Sequence, residues 1–183
     1  RKTVKKIQSL TEGLQLGVGI KNGIEAVIHC LNNAIRSEFI NDDDLAILVD
    51  FSNAFNIIDR QPIIDTVQAH LPEISKWVQF LYCSASYLFL PGGKIILCCT
   101  GVQQGDPLSM ALFCMAAHPL LFKLSQIVSS TNPSKQLIVA AICDDWSIIV
   151  PDAETAVKCL HLIDSEGPAL GLIRSRTKSV IWS

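Results

Sequence analysis

Three aspartates stand where apolar runs end, two of them side by side. Residues 45–49 form an apolar run that closes on Asp50, and residues 137–143 form another that closes on Asp144 and Asp145. Carboxylate oxygens are the ligands that magnesium prefers, and two such ions about 4 Å apart activate a hydroxyl and stabilise a leaving pyrophosphate. Without a cation, three converging carboxylates would raise one another's pKa. The pattern therefore suggests a divalent-metal site for phosphate chemistry.

A glycine-rich turn at residues 101–107 lies between the two acidic motifs. Either acidic motif alone is compatible with ordinary turn aspartates, since Asp is common in turns. Both motifs together with this turn favour metal-dependent chemistry. A phosphohydrolase with Asp50 as its nucleophile is a competing hypothesis, but such enzymes usually need a second acid two residues later, where this chain has Ser52.

Predicted strands would bring these acids together. Residues 45–49 are uninterrupted and apolar, as in a strand buried on both faces. Residues 137–143 predict a strand that pairs with residues 146–150, so that a hairpin carries the two adjacent acids at its tip. A second hairpin is predicted over residues 87–98, with a Pro-Gly-Gly turn.

Helices are predicted from apolar spacing and proline boundaries. The predicted spans are residues 24–35, 61–71, 73–84, a helix from 107 that kinks or ends at Pro119, and 152–169, with a last strand at 179–182. The first of these carries an apolar stripe from Ile24 to Ile35. Because strands pair through hairpins as well as across helices, the prediction is an α+β fold, a small antiparallel sheet with helices packed on one face.

Composition restricts the function classes. The chain has 183 residues, 49% of them hydrophobic and 17% charged, with a mean hydropathy of +0.36, which predicts one rather apolar domain cut from a longer protein. A net charge of −2 argues against a free-standing nucleic-acid binder. Basic residues are concentrated at 1–6 and 174–178, where they either face a polyanion or, for the first cluster, are solvated ends.

Cysteine usage and hydropathy predict an intracellular chain, in the nucleus or cytoplasm. Seven cysteines without a Cys-x-x-Cys pair indicate reduced thiols. Scattered histidines disfavour a zinc site at Cys159 and His161. The apolar stretch at residues 107–122 is interrupted and shorter than the ~20 residues of a membrane span, and no secretory signal opens the sequence.

Several motifs resemble those of one family in order along the chain. Residues 50–56, 101–108 and 143–145 resemble the successive palm motifs of reverse transcriptases, most closely of the non-LTR (LINE-like) retrotransposon type. Residues 15–19 before a helix, and Gly171-Leu172 with Lys178, are similar to flanking motifs of the same group. The resemblance covers nearly the whole chain and implies an RNA-directed DNA polymerase with the palm fold.

The resemblance also implies catalytic roles by position. Asp50, Asp144 and Asp145 would be catalytic acids and would bind two Mg²⁺ ions, or Mn²⁺ in their place. The backbone carbonyl of Phe51 would be a further metal ligand. Lys178 would approach the pyrophosphate and donate a proton.

Other residues would contact the nucleotide. Phe55 would lie under the sugar and exclude a 2′-hydroxyl, although it is also compatible with being a core aromatic. Gln104 and Gly105 would shape the nucleotide and template pocket, where the missing Cβ lets a ligand approach. The implied partners are an RNA template, a DNA primer and deoxynucleoside triphosphates, with no membrane.

Much of the family's architecture is expected to lie outside this chain. The resemblance implies a single palm domain over residues 1–183, in which residues 1–20 are a remnant of the fingers and in which most of the fingers and the thumb are absent. Because duplex affinity comes largely from basic phosphate contacts, the chain alone is expected to polymerise weakly or not at all. The alternative is a non-catalytic relic or nucleic-acid-binding remnant of a retroelement.

Five positions depart from the family pattern. Ile142 and Cys143 stand where the family usually has an aromatic residue and alanine, and Arg174 and Ser175 replace an apolar residue and asparagine. Trp146 follows the acid pair directly, and its bulk there is expected to crowd a primer terminus. The metal-binding acids are unchanged, so the departures bear on nucleotide and primer fit.

Overall fold

Two antiparallel sheets and the helices around them make up the computed structural model, which describes residues 2–11, 13–36, 43–131 and 138–182. The strands are β1 (Leu45–Val49), β2 (Ser86–Phe89), β3 (Ile95–Cys98), β4 (Val139–Ile142), β5 (Asp145–Val150) and β6 (Val180–Trp182). The helices are α1 (Lys2–Leu10), α2 (Gly23–Arg36), α3 (Ala54–Ile57), α4 (Arg60–His70), α5 (Pro72–Tyr82), α6 (Ser109–Thr131) and α7 (Ala153–Glu166), and α7 continues into a 3₁₀ turn at Gly167–Leu170.

The larger sheet has the strand order β4-β5-β1-β6, with every neighbouring pair antiparallel. Ile47 and Val49 point into the core and are 0% and 3% exposed, whereas Leu48 on the other face is 38% exposed. The prediction that residues 45–49 are buried on both faces is therefore wrong. The strand alternates because the helices cover one face of an antiparallel sheet.

Helix α6 forms the centre of the core. It runs for 23 residues through Pro119, so of the predicted kink or end the end is wrong, and the kink stays a prediction. Burial of Leu120, Leu121 and Leu124 beyond the proline outweighs the lost backbone hydrogen bond. The helix is longer than the apolar stretch at residues 107–122 suggested, and by length and composition it could cross a membrane. Its most apolar window is 61% buried inside the protein, as in a core helix.

The other predicted elements are present with small shifts of their ends. Helix α2 forms as predicted, but only part of its apolar stripe is buried, since Val27 is 7% exposed while Ile24 and Ile28 are 61% and 51% exposed. The sequence also predicts a loop at residues 131–134; Thr131 belongs to α6 instead, and residues 132–134 lie outside the described residues, as does Leu137 at the predicted start of β4.

The smaller sheet is the hairpin β2–β3. Tyr87, Phe89, Ile95 and Leu97 lie on one face of it, because Tyr87 pairs with Leu97 and Phe89 with Ile95. Their exposed fractions run from 55% to 77%. The predicted hairpin is therefore present, and its strands lie outside the core.

Candidate active site

The acidic residues meet where the end of β1 lies beside the start of β5. Val49 pairs with Trp146, so the next step along the same antiparallel register brings Asp50 opposite Asp145. Asp144 lies in the two-residue turn that joins β4 to β5. The three predicted acids therefore come from two adjacent strand ends, and residues opposite each other in such a ladder are about 5 Å apart at Cα.

The electrostatics of Asp144 reflect this proximity. Partial burial raises the pKa of the Asp144 carboxyl above its ordinary value, the negative charges of Asp145 and Asp50 raise it further, and Lys178 opposes the shift. Lys178 Nζ lies 3.6 Å from Asp50 Oδ1. The site therefore carries an excess of negative charge that one lysine offsets only in part.

Asp50 Oδ1 is buried and, within the described residues, accepts no hydrogen bond. A buried carboxylate oxygen without a donor is costly, so this oxygen is suited to a cation ligand. In the described parts of the chain, no group of three or more His, Cys, Asp or Glu side chains has the spacing of an assembled metal centre. The oxygen donors nevertheless fit magnesium, which binds through one or two carboxylates together with waters and substrate phosphates.

A buried glutamine shapes the turn that carries Asp144. Gln15 is 0% exposed, accepts a hydrogen bond from Cys143 N at 2.7 Å and donates one to Cys143 O at 2.9 Å. Its neighbouring backbone pairs with β4, because Leu16 N donates to Ala141 O and Ala141 N donates to Leu14 O. The loop at residues 13–20 thus fixes the turn from the side.

Trp146 supports the turn at Cys143 from the core side of the sheet. Cys143 has a φ of 55°. Trp146 Nε1 donates to Cys143 O at 3.0 Å, and the indole is 1% exposed and meets Phe51 edge-on at 4.8 Å. Trp146 therefore points into the core, on the sheet face opposite to Asp50 and Asp145. The expectation that its bulk crowds a primer terminus is wrong, because side chains alternate along β5.

The segment after residue 170 holds the backbone of Asp50 in place. Ser175 N donates to Asp50 O at 2.8 Å, and Asp50 N donates to Ser179 Oγ at 3.2 Å. Phe51 forms an antiparallel bridge with Arg174, whose guanidinium makes a two-pronged ion pair with Asp164 at 2.8 and 2.6 Å. The departures at Arg174 and Ser175 thus have structural partners, and the metal-ligand role of the Phe51 carbonyl stays a prediction.

The glycine-rich turn packs against the segment that follows Asp50. Gly101 N donates to Ile58 O and Val102 N to Phe55 O, both at 2.8 Å. Gly101 has a φ of 76°, and a Cβ there would lie 2.4 Å from Asn56 O. The first glycine of the turn is therefore required for close packing.

Gln104 and Gly105 are exposed at the far end of this turn. Gln104 Nε2 lies 3.4 Å from Asn56 Oδ1. Gly105 has a φ of 89°, and a Cβ there would meet no atom within 4 Å. The space beside Gly105 is open, and the nucleotide role predicted for both residues stays a prediction.

Tyr82 and Asp106 fix the start of α6. The Tyr82 hydroxyl donates to Asp106 Oδ2 at 2.7 Å and accepts from Gln103 N, and Asp106 Oδ1 accepts from Leu108 N. Burial, together with the hydrogen bond to Asp106, raises the pKa of Tyr82 to about 12. The hydroxyl therefore stays a donor at any physiological pH.

Phe55 stacks on Phe113 of α6, with ring centroids 4.4 Å apart and planes 11° apart. Phe113 is fully buried and Phe55 is half-buried. One side of the Phe55 ring is thus fixed by the core. This agrees with the core-aromatic alternative and leaves its contact with a sugar as a prediction.

Sequence reasoning missed three residues that shape this site. Gln15 was noted only within a glycine-rich motif, although it bonds a residue 128 positions away. Arg60 and Tyr82, which support the glycine-rich turn, were not singled out. Arg60 opens a helix that also carries Gln61, Asp65 and Gln68, so its residue type gives no sign that it is buried.

Comparisons with known proteins agree with the geometry. A family model described as reverse transcriptase (RNA-dependent DNA polymerase) matches residues 4–183. A Xenopus laevis protein named "Transposon TX1 uncharacterized 149 kDa protein" is 28% identical over 122 residues, which cover 61% of this chain and 9% of that protein.

Solved telomerase structures share the fold. Apo telomerase from Candida tropicalis has a TM-score of 0.75 at 12% identity, over 100% of this chain and 36% of that one. The same species' telomerase in complex with a TWJ fragment of telomeric RNA has a TM-score of 0.72 at 13% identity, over 100% of this chain and 33% of that one. The chain spans about a third of these structures. The predicted α+β palm fold is confirmed.

Proposed function

The chain belongs to the reverse transcriptase (RNA-dependent DNA polymerase) family, and from that premise we propose that it is the palm of an RNA-directed DNA polymerase that works by two-metal nucleotidyl transfer. The observation that carries the proposal is the meeting of Asp50 and Asp145 at adjacent strand ends, with Asp144 close enough for both to raise its pKa. A non-LTR retrotransposon origin is supported by the match to a transposon protein.

In this proposal the acids hold the cations that assemble the reaction. Asp50 and Asp144 would be the main ligands, with Asp145 and the Phe51 carbonyl beside them. When bound, the two ions would activate the primer 3′-hydroxyl and stabilise the leaving pyrophosphate. The buried Asp50 Oδ1 supports this assignment, since it accepts no hydrogen bond from the described residues.

Lys178 and the aromatic pair would act on the substrate. The Lys178 side chain is 68% exposed, so its ammonium can leave Asp50 for a phosphate and donate a proton to the pyrophosphate. Phe55, held flat against Phe113, would pack under the sugar and exclude a 2′-hydroxyl. Gln104 and Gly105 would line the nucleotide and template side, where the space is open.

The proposed partners are an RNA template, a DNA primer and deoxynucleoside triphosphates. The chain offers 15 basic against 17 acidic residues, so it has few cations for a duplex. We propose that the residues 1–183 form one palm domain with a remnant of the fingers at residues 1–20, and that fingers and thumb belong to the parent protein. The intracellular setting inferred from seven free cysteines is also a proposal.

A non-catalytic relic is the second candidate. It is favoured by the lack of an assembled cluster of metal ligands among the described residues and by the ion pair that Lys178 makes with Asp50. In that case the fold persists while the acids bind no cation. The two candidates therefore differ in one measurable property, the response to divalent metal.

A metal titration tests the proposal. Thermal unfolding of the chain with increasing Mg²⁺, and separately Mn²⁺, should raise the Tm, because an ion that binds only the folded state stabilises it. Asp144→Asn should abolish the gain, whereas Asp65→Asn, the same change at an exposed position on α4, should keep it. A flat response in the unaltered chain would favour the relic.

Primer extension separates the levels of activity. With a primed RNA template and Mg²⁺, the chain alone should add few nucleotides or none, and Asp144→Asn should add none. Processive synthesis by the isolated chain would contradict the expectation that fingers and thumb are needed.

A further inference from the structure

Arg60 is a buried cation whose hydrogen-bond partners among the described residues are neutral. It lies at the start of α4 and is 5% exposed. Its Nε donates to Gly101 O at 2.9 Å, Nη1 to Ser84 O at 3.1 Å and Nη2 to Cys98 Sγ at 3.6 Å. A buried guanidinium ordinarily needs an anion, so three neutral acceptors indicate that its geometry, rather than its charge, is what the fold uses.

Those acceptors belong to separate segments that meet at this one side chain. Gly101 opens the turn that carries Gln104 and Gly105. Ser84 and Cys98 flank the hairpin β2–β3 at its base. The guanidinium carbon also lies 5.5 Å from the centre of the Tyr82 ring, and Tyr82 in turn holds the far end of the glycine-rich turn through Asp106.

We propose that Arg60 is a positioning residue that fixes the turn at residues 101–105 for nucleotide binding. This inference rests on the proposed function, because that turn is where the nucleotide would bind. The turn packs on the segment after Asp50 through the amides of Gly101 and Val102. Arg60 fixes the carbonyl of Gly101, so that the peptide groups at this point are held from both directions.

The planar fork of arginine is needed for this role. Nε and the two Nη atoms reach three acceptors in different directions, which the single ammonium of lysine cannot do. Removing the guanidinium would also leave the buried carbonyl of Gly101 without this donor, whereas the carbonyl of the exposed Ser84 could bond water instead. The start of the turn would then be held only by the amides that donate to the segment after Asp50, while its far end would keep the bonds of Tyr82.

Local hydrogen exchange tests the positioning directly. The amides to follow are those of Gly101, Val102 and Gln103, all of which donate hydrogen bonds. Arg60→Gln should speed their exchange by about tenfold or more, and Arg60→Lys by less. Val128→Ala, a cavity change at a buried position of α6 (1% exposed), is the control for a general loss of stability. Equal acceleration in Arg60→Gln and the control would overturn the proposal.

Nucleotide binding shows whether the fixed turn matters for ligand. Calorimetry with a deoxynucleoside triphosphate and Mg²⁺ should give a Kd raised by about fivefold or more in Arg60→Gln, with the response to Mg²⁺ alone unchanged. Unchanged nucleotide affinity in a variant whose turn exchanges faster would overturn the binding role. An unaltered chain that binds no nucleotide would count against the proposed function, and the exchange data would still decide whether Arg60 positions the turn.

Discussion

The two β-hairpins of this chain are built on opposite plans. Strands β4 and β5 join through Cys143 and Asp144 alone, and β5 lies inside the larger sheet. Strands β2 and β3 join through residues 90–94 and, among the strands that the structure describes, pair only with each other. The β4–β5 hairpin carries Asp144 and Asp145 at its turn. The β2–β3 hairpin is an exposed, apolar two-stranded ribbon.

The difference lies in how each turn is held. Gln15 fixes both backbone groups of Cys143, and Trp146 donates to the same carbonyl from below. The exposed hairpin is fixed at its base, where Arg60 contacts Ser84 and Cys98. Buried polar contacts therefore hold the turn that places the acids, whereas in the exposed hairpin such contacts are found, within the described part of the chain, only at the base. The following predictions test this contrast, from the largest expected effect to the smallest.

Two glycines of like conformation should respond differently if the glycine-rich turn is tightly packed and the tip of the exposed hairpin is not. Gly101→Ala should cost about 3 kcal/mol or more, because its Cβ would lie 2.4 Å from Asn56 O and its φ is 76°. Gly93→Ala, with a φ of 75° and no atom within 4 Å of an added Cβ, should cost about 1 kcal/mol. Urea unfolding measures both. Equal costs would show that the glycine-rich turn is packed no more tightly than the tip of the hairpin.

Removing the two hydrogen bonds that Gln15 makes to the turn at residues 143–144, here called the acid turn, should have the next largest effect. Gln15→Leu should lower the free energy of unfolding by about 2–3 kcal/mol, because the buried N–H and C=O of Cys143 both lose a partner. It should also weaken the Mg²⁺ response by freeing the turn. Gln68→Leu at an exposed position of α4 is the control and should change stability by less than about 0.5 kcal/mol. An unchanged free energy of unfolding in Gln15→Leu would contradict this difference between the two hairpins.

The acid turn should carry an electrostatic cost that the exposed hairpin lacks. The pKa of Asp144 is raised in the folded state, so the unfolded chain releases this proton at lower pH and stability falls as pH rises from the unfolded to the folded pKa. Asp144→Asn should therefore stabilise the metal-free protein at pH 7, by at most about 1 kcal/mol after solvent screening.

The control for that pH dependence has the opposite sign. The pKa of Asp164 is lowered by its hydrogen bond from Arg174, so its contribution is present above the unfolded pKa and is lost as pH falls through the folded pKa. Asp164→Asn should therefore destabilise the protein at pH 7. Chemical unfolding across pH 3–8 measures both, and a loss of stability in Asp144→Asn would contradict the assigned repulsion.

Substitution on the exposed ribbon should have the smallest effect on stability. Phe89→Ser should change the free energy of unfolding by less than about 0.5 kcal/mol, since the ring is 77% exposed. It should reduce light scattering at high protein concentration, because an apolar ribbon with unpaired edges promotes association. Leu121→Ser in the core of α6 gives the contrasting loss of stability. A large loss in Phe89→Ser would mean that the ribbon is packed after all.

How far the sequence predicted this arrangement depends on the range of the contacts. The strands ending at Asp50 and Asp144 followed from local apolar runs, and the family motifs gave the acids their order. The prediction for Trp146 is wrong because side chains alternate along β5, and the turn decides which residues of that strand face the core. Pro119 was overridden by the burial of its neighbours in α6, which a local rule does not contain.

Contacts between distant residues were out of reach. Gln15 bonds Cys143 across 128 positions, and Arg60 bonds Gly101 across 41. Neither side chain differs in type from an ordinary exposed polar residue, and only the fold reveals that each is buried. The metal-ligand, nucleotide and proton-donor roles of the site residues stay predictions.

The bonds that residues after Gly171 make to Asp50 have a consequence for shortened versions of this chain. A truncation after Leu170 would retain Asp50, Asp144 and Asp145, yet it would remove β6 and the serines that bond the Asp50 backbone. Strand β1 would become a free edge, open to pairing with other molecules. Keeping all the acids would therefore not be enough to keep the site, and such a product should aggregate.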